Sequence, residues 1–335
     1  MNSITRRTML AGAALSTRTR AADPRPNILF FFPDQWRFDW TGWNSKLPLQ
    51  TPNLAALRAR GVSFANCLVA SPLCAPSRAC LASGREYSRA GVKNNGFNYP
   101  LEQETFYQRL RDSGYHVTGC GKLDLHKKTL NWGVDGKRLT REWGFSDAID
   151  NAGKGDAIAS VRADGIPKDP YMTFLKSRDL MDVHVADFRA RAGHAAHYAN
   201  TKPTPLPDAA YCDNWIAGNG LRLLQEAPPD RPWFLVLNFT GPHSPMDITQ
   251  SMEPSCRGRQ YPPPFEGQEF DAATHQAIRQ NYGAMIENID RWLGRFVEEL
   301  RRRGELERTL IVFSSDHGEM LGDHNRWGKT LPYHA

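Results

Sequence analysis

Cys74 stands in the run Pro72-Leu-Cys-Ala-Pro-Ser-Arg78, where Pro76 fits the first turn of a helix that would begin at the cysteine. A side chain at that point meets backbone amides with no helical partner, a setting that favours an anion. Three further groups of residues are capable of chemistry: Asp34-Gln35, His243 and Asp316-His317. Each comes just after an apolar run, respectively 27–32, 233–239 and 309–314. Continuous apolar runs of this length suit strands buried on both faces. In an open α/β sheet, ligands bind beyond the carboxyl ends of the strands, so the three groups are expected to meet in one crevice.

The elements between these runs support such a sheet. Thr51-Pro52 opens a short helix that Gly61 closes, with proline just inside the start and glycine just past the end. Tyr282, Met285, Ile286, Ile289, Trp292, Leu293, Phe296 and Leu300 recur at three- and four-residue steps, predicting a long amphipathic helix that leads into the third strand. Strands alternating with helices predict an α/β fold. Segments 127–207 and 247–278 are poor in periodicity and rich in Gly, Pro and His, and read as loops and small helices around the crevice.

Composition bounds the rest. A chain of 335 residues that is 40% hydrophobic can bury a large core. The net charge of +6 comes from charges that mostly alternate in sign, with no basic stripe interleaved with aromatics, so no nucleic-acid partner is indicated. No stretch approaches the ~18 apolar residues of a membrane span. Six irregularly spaced cysteines form neither a zinc pattern nor a small disulfide scaffold. Thr5-Arg-Arg-Thr-Met-Leu10, followed by a short mild apolar stretch, reads as a twin-arginine export signal within residues 1–24. A periplasmic or secreted protein is therefore expected, with a catalytic domain over residues 25–335.

The pentapeptide Cys74-Ala-Pro-Ser-Arg78 resembles the signature of the formylglycine-dependent sulfatases, of the alkaline-phosphatase-like superfamily. The resemblance implies a large, mostly parallel, mixed sheet flanked by helices. It also implies that a maturase oxidises Cys74 to formylglycine. Hydrated, that aldehyde presents two hydroxyls on one carbon: one attacks sulfur and expels the alcohol, and deprotonation of the other releases sulfate. Asp34, Gln35, Asp316 and His317, with residue 74, match the family's metal positions, and mostly hard oxygen ligands imply Ca2+, with Mg2+, Mn2+ or Zn2+ as alternatives. Arg78 would orient the hydrate and Lys122 would hold a sulfate oxygen, while His243 and Lys329 match the pair beside the bridging oxygen.

Some positions depart from the pattern. Asp124 stands where many sulfatases have a histidine, and His126 follows two residues later; if the segment is extended, Lys122, Asp124 and His126 share a face toward the crevice. Asn95 resembles an oxyanion-contacting asparagine of the branch containing phosphonate monoester hydrolases and choline sulfatases, which also shares Asp34-Gln-Trp-Arg37. Sulfatases usually continue past the lysine motif into further strands and a C-terminal subdomain, so a truncated domain with exposed edges is expected. The reading that follows is hydrolysis of a sulfated small molecule or carbohydrate. A phosphonate monoester or phosphodiester hydrolase is the first alternative, and an inactive remnant that binds anions or a partner is the second.

Overall fold

The computed structural model describes residues 25–331 apart from 163; the twin-arginine motif lies outside the described residues. Three of its strands fall where the apolar runs predict them: β1 (Asn27–Phe31), β4 (Trp233–Asn238) and β5 (Thr309–Phe313). Two others, β2 (His116–Gly121) and β3 (Asp147–Asp150), carry no such run. Together they form a five-stranded sheet of order β3-β2-β4-β1-β5 in which every pairing is parallel. The α/β reading with a mostly parallel sheet is thus borne out.

Helices cover both faces, and the alternation of side chains along the strands shows it. Leu29, Phe31, Leu235 and Leu237 face the larger apolar layer, beside Ile216 of the helix Cys212–Gln225 and Ile286, Ile289, Leu293 and Phe296 of the helix Ala272–Arg302. Phe30, Phe32, Phe234 and Val236 face the other layer, with Ala75, Ala79 and Tyr107. Each large apolar side chain so enclosed contributes about 1.5–3 kcal/mol relative to exposure. The 31-residue helix runs further back than its apolar stripe predicts, because Asp271 caps it by accepting from the Thr274 amide at 2.8 Å.

The short helix α1 (Pro52–Ala59) forms as expected, and Asp290 of the long helix accepts the Asn53 and Leu54 amides at its start. Residues 127–207 hold the short helices Lys154–Val161, Pro170–Lys176, Met181–Ala190 and His194–Ala199, together with β3. The least covered strand is β5, where Leu310 is 53% exposed. Among the described residues, no helix is long and apolar enough to cross a membrane.

The ends of β2 and β4 touch backbone to backbone. Gly121 adopts φ +110°, and a Cβ there would lie 2.0 Å from the Asn238 carbonyl oxygen. Only glycine satisfies both conditions, and the next residue is Lys122. Gly121→Ala is expected to cost about 3 kcal/mol or more, read as a shift in the denaturant midpoint.

Candidate active site

Every strand of the sheet except β3 delivers a functional group just past its carboxyl end. Asp34 follows β1, Lys122 follows β2, His243 follows β4, and Asp316-His317 follows β5. The helix α2 (Cys74–Ser83) presents its first residue to the same place, with Arg78 one turn on. Leu73 at its N-cap supplies no side-chain acceptor, and the Ala75 amide donates instead to Asn95 Oδ1 at 3.1 Å. Asn95 is therefore next to the cysteine.

Ligand atoms of Asp34, Cys74, Asp316 and His317 all lie within 4.8 Å of one another, and all four residues are buried. The sulfur is 3.3 Å from His317 Nε2 and 3.8 Å from Asp34 Oδ1, and it accepts from Lys329 Nζ at 2.6 Å. Lys122 pairs with Asp34 and lies 3.3 Å from Asp124. Arg78 donates through Nε to Asp316 at 2.9 Å and through Nη1 to the Lys122 carbonyl and Asn238 Oδ1, leaving buried Nη2 without a partner.

The electrostatics follow from this crowding. Burial raises the Cys74 thiol and Asp34 adds to the effect, but Lys122, Lys329 and His317 outweigh both and hold it well below the usual thiol range. Burial, and then the charge of Asp34, push Asp316 above the usual carboxylate range despite His317 and Arg78. Two carboxylates sharing one buried site is an arrangement that a divalent cation relieves.

Gln35 strengthens that case. Its φ of 66° is a left-handed conformation, rare outside glycine, held by its amide on Asp316 Oδ1 at 2.9 Å and by the Tyr282 hydroxyl on its carbonyl at 2.7 Å. Its side-chain Nε2 donates to Glu319, while Oε1 is buried with no partner. A buried, orphaned amide oxygen on the residue that follows Asp34 and rests its backbone amide on Asp316 suits a cation that prefers oxygen.

His243 and Lys329 form a pair of their own. His243 Nδ1 donates to the Ser244 carbonyl at 2.6 Å, so Nε2 carries the lone pair that accepts from Lys329 Nζ at 2.8 Å. Burial and then the Lys329 charge hold the imidazole well below its usual range, so it is neutral near pH 7.

His126 is not brought to the cluster. Asp124 has φ 55°, which breaks the extended alternation on which a shared face depends. His126 turns away to pair with Asp150 at 3.0 Å, its ring packed against Trp132 and Trp143. Asp124 stays with Lys122 and also takes Lys127 at 3.1 Å. Three neighbours escaped sequence reasoning: Asn238, Lys154 and Glu319. Asn238 was detectable as a polar residue closing the apolar run of β4. Lys154, whose ammonium holds the His243 and Pro245 carbonyls and Asp247, had no signal.

The sulfatase family profile matches residues 26–335. The arylsulfatase of Clostridium perfringens is 27% identical over 92% of this chain and 66% of its own length. The choline-sulfatase of Rhizobium meliloti is also 27% identical, over 91% of this chain and 60% of its own. The crystal structure of the phosphonate monoester hydrolase of Agrobacterium radiobacter superposes with a TM-score of 0.72 at 23% identity, covering 92% of this chain and 66% of that one. The chain thus spans about two thirds or less of the length of these relatives.

The clustered ligands predict a cation-dependent fold. Saturating Ca2+ or Mn2+ is expected to raise the melting midpoint, by about 2.7 kcal/mol of stability at a hundredfold excess over Kd, and EDTA to reverse it. Asp34→Asn and Asp316→Asn are expected to melt at a midpoint indifferent to either addition.

Proposed function

The chain belongs to the sulfatase family, and from that premise we propose that it hydrolyses sulfate monoesters of a small molecule or carbohydrate, using formylglycine made from Cys74. The observation that carries this reading is the meeting of Cys74, Asp34, Asp316 and His317 within 4.8 Å at the start of α2. In the mature protein, the position of the thiol sulfur stands for the hydrate oxygen. Asp34, Gln35, Asp316 and His317 would hold a divalent cation, Ca2+ being the expected one, which when bound supplies Lewis acidity at residue 74 and compensates the two carboxylates.

The chain's own groups account for the remaining requirements. Arg78 is fixed by Asp316, Asn238 and the Lys122 carbonyl, so its unpartnered Nη2 is a preorganised donor for an oxygen bound at residue 74. Lys122 provides a second fixed positive charge for a sulfate oxygen. The proton for the departing alkoxide sits on Lys329 Nζ. Neutral His243 accepts from that ammonium and so holds it beside Cys74. Export through the twin-arginine motif belongs to the same proposal, on the strength of Thr5–Leu10 alone.

A phosphorus-specific hydrolase would use the same cations and carboxylates, and the shared Asp34-Gln-Trp-Arg37 run favours weighing it. Steady-state rates on aryl sulfate, phosphate diester and phosphonate with one leaving group decide between them. The sulfate ester is expected to be fastest, and dominance of either phosphorus substrate by orders of magnitude would reverse the assignment. No turnover of any of the three by protein carrying the aldehyde would favour the inactive alternative. Mass spectrometry of the residue-74 peptide from native cells is expected to show aldehyde in place of thiol. Lys329→Met is expected to lower kcat by about 10²–10⁴ on esters of poorly leaving alcohols, and much less on nitrophenyl sulfate, whose leaving group needs no proton.

A further inference from the structure

Glu319 is fully buried, three residues after Asp316, and among the described residues it hydrogen-bonds to neither Cys74 nor a cationic side chain. One of its oxygens, Oε1, accepts the amides of Leu321 at 3.1 Å and Gly328 at 2.5 Å. The other, Oε2, accepts Gln35 Nε2. A carboxylate has acceptors only, so it dictates which edge of the Gln35 amide faces it. The NH2 edge must turn toward Glu319, and the oxygen edge must turn the opposite way. That oxygen is the buried atom with no partner, on the residue that follows Asp34 and whose backbone amide rests on Asp316.

We propose that Glu319 is a positioning residue that fixes the amide orientation of Gln35, so that Oε1 is presented to the cation. This inference rests on the cation site of the preceding section. The same carboxylate also anchors the Lys329 loop, because Gly328 directly precedes Lys329 and Met320 N–H closes the loop on the Gly328 carbonyl at 3.1 Å. One buried group thus ties an oxygen ligand of the cation to the strand of chain that carries the proposed proton donor.

Glu319→Gln separates the two duties. A glutamine oxygen can still accept the Leu321 and Gly328 amides, but its NH2 group would then face the NH2 of Gln35. To escape two opposed donors, Gln35 must rotate its amide, which withdraws the oxygen from the cation and offers N–H groups in its place. Exchanging the pair, as Gln35→Glu with Glu319→Gln, restores the hydrogen bond with its direction reversed and returns an oxygen to the cation.

Calorimetric titration with Ca2+ and with Mn2+, on the full chain without substrate, tests this. The E319Q variant is expected to bind about 10–100-fold more weakly than the wild type, as loss of a ligand-orienting partner usually does. The exchanged double variant is expected to recover to within about threefold of the wild type, in affinity and in any stability that E319Q has lost. Unchanged affinity in E319Q overturns the proposal, and so does failure of the exchange to recover what E319Q loses. Wild-type protein that binds neither cation would instead overturn the cation site itself.

Discussion

Asp34 and Asp316 are buried together where the carboxyl ends of β1 and β5 meet. Removing two like charges from solvent to one place is costly, and an unpaired buried charge is worse. Much of the surrounding chemistry answers that cost. Lys122 and Arg78 each take one of the carboxylates, His317 lies within 3.6 Å of both, and Lys329 closes over the sulfur. The cluster is also why the site is legible as a site. Replacing buried ion pairs with hydrocarbon of similar volume is often neutral or stabilising, so a buried charge cluster of this kind marks a candidate functional site rather than a structural core.

The sheet makes this concentration of charge possible. In a parallel sheet with both faces covered, the strands are apolar throughout and the chain turns polar only where it leaves them. Adjacent strands therefore release their polar residues at one level, and the pairing of β1 with both β4 and β5 sets Asp34 between His243 and Asp316. Asp213, on the helix behind β4, secures one of these exits by accepting the Thr240 hydroxyl and the Thr240 and Gly241 amides. Lys154 secures it from the other side. The histidine loop is thus clamped from two sides by buried polar side chains.

What the sequence discloses follows from the same physics. Buried strands such as β1, β4 and β5 are written as uninterrupted apolar runs, so they and the polar residues beyond them are readable. β2 is not, since its middle and end are occupied by glycines. Gly119 has Phe145 and Val236 within 3.1 Å of where a Cβ would stand, and Gly121 has the backbone of β4. Close packing there has removed the side chains that would have announced a strand. His126 misled for a related reason: a single left-handed residue at Asp124 redirects all that follows, and aspartate gives little warning of it. Glu319 was invisible because its partners are amides scattered from residue 35 to residue 328, a relation that only the folded chain creates.

The enclosure of Cys74 has a consequence for the order of events in the life of the protein. Its side chain is 1% exposed, enclosed by Asp34, His317 and Lys329, on a helix whose Ser77 hydroxyl is bonded to the Asp316 carbonyl. A second macromolecule could not reach the thiol without undocking that helix from the sheet. Any enzyme that alters residue 74 must therefore meet a nascent or unfolded chain, and the finished tertiary structure seals in whichever chemical form was present when it closed.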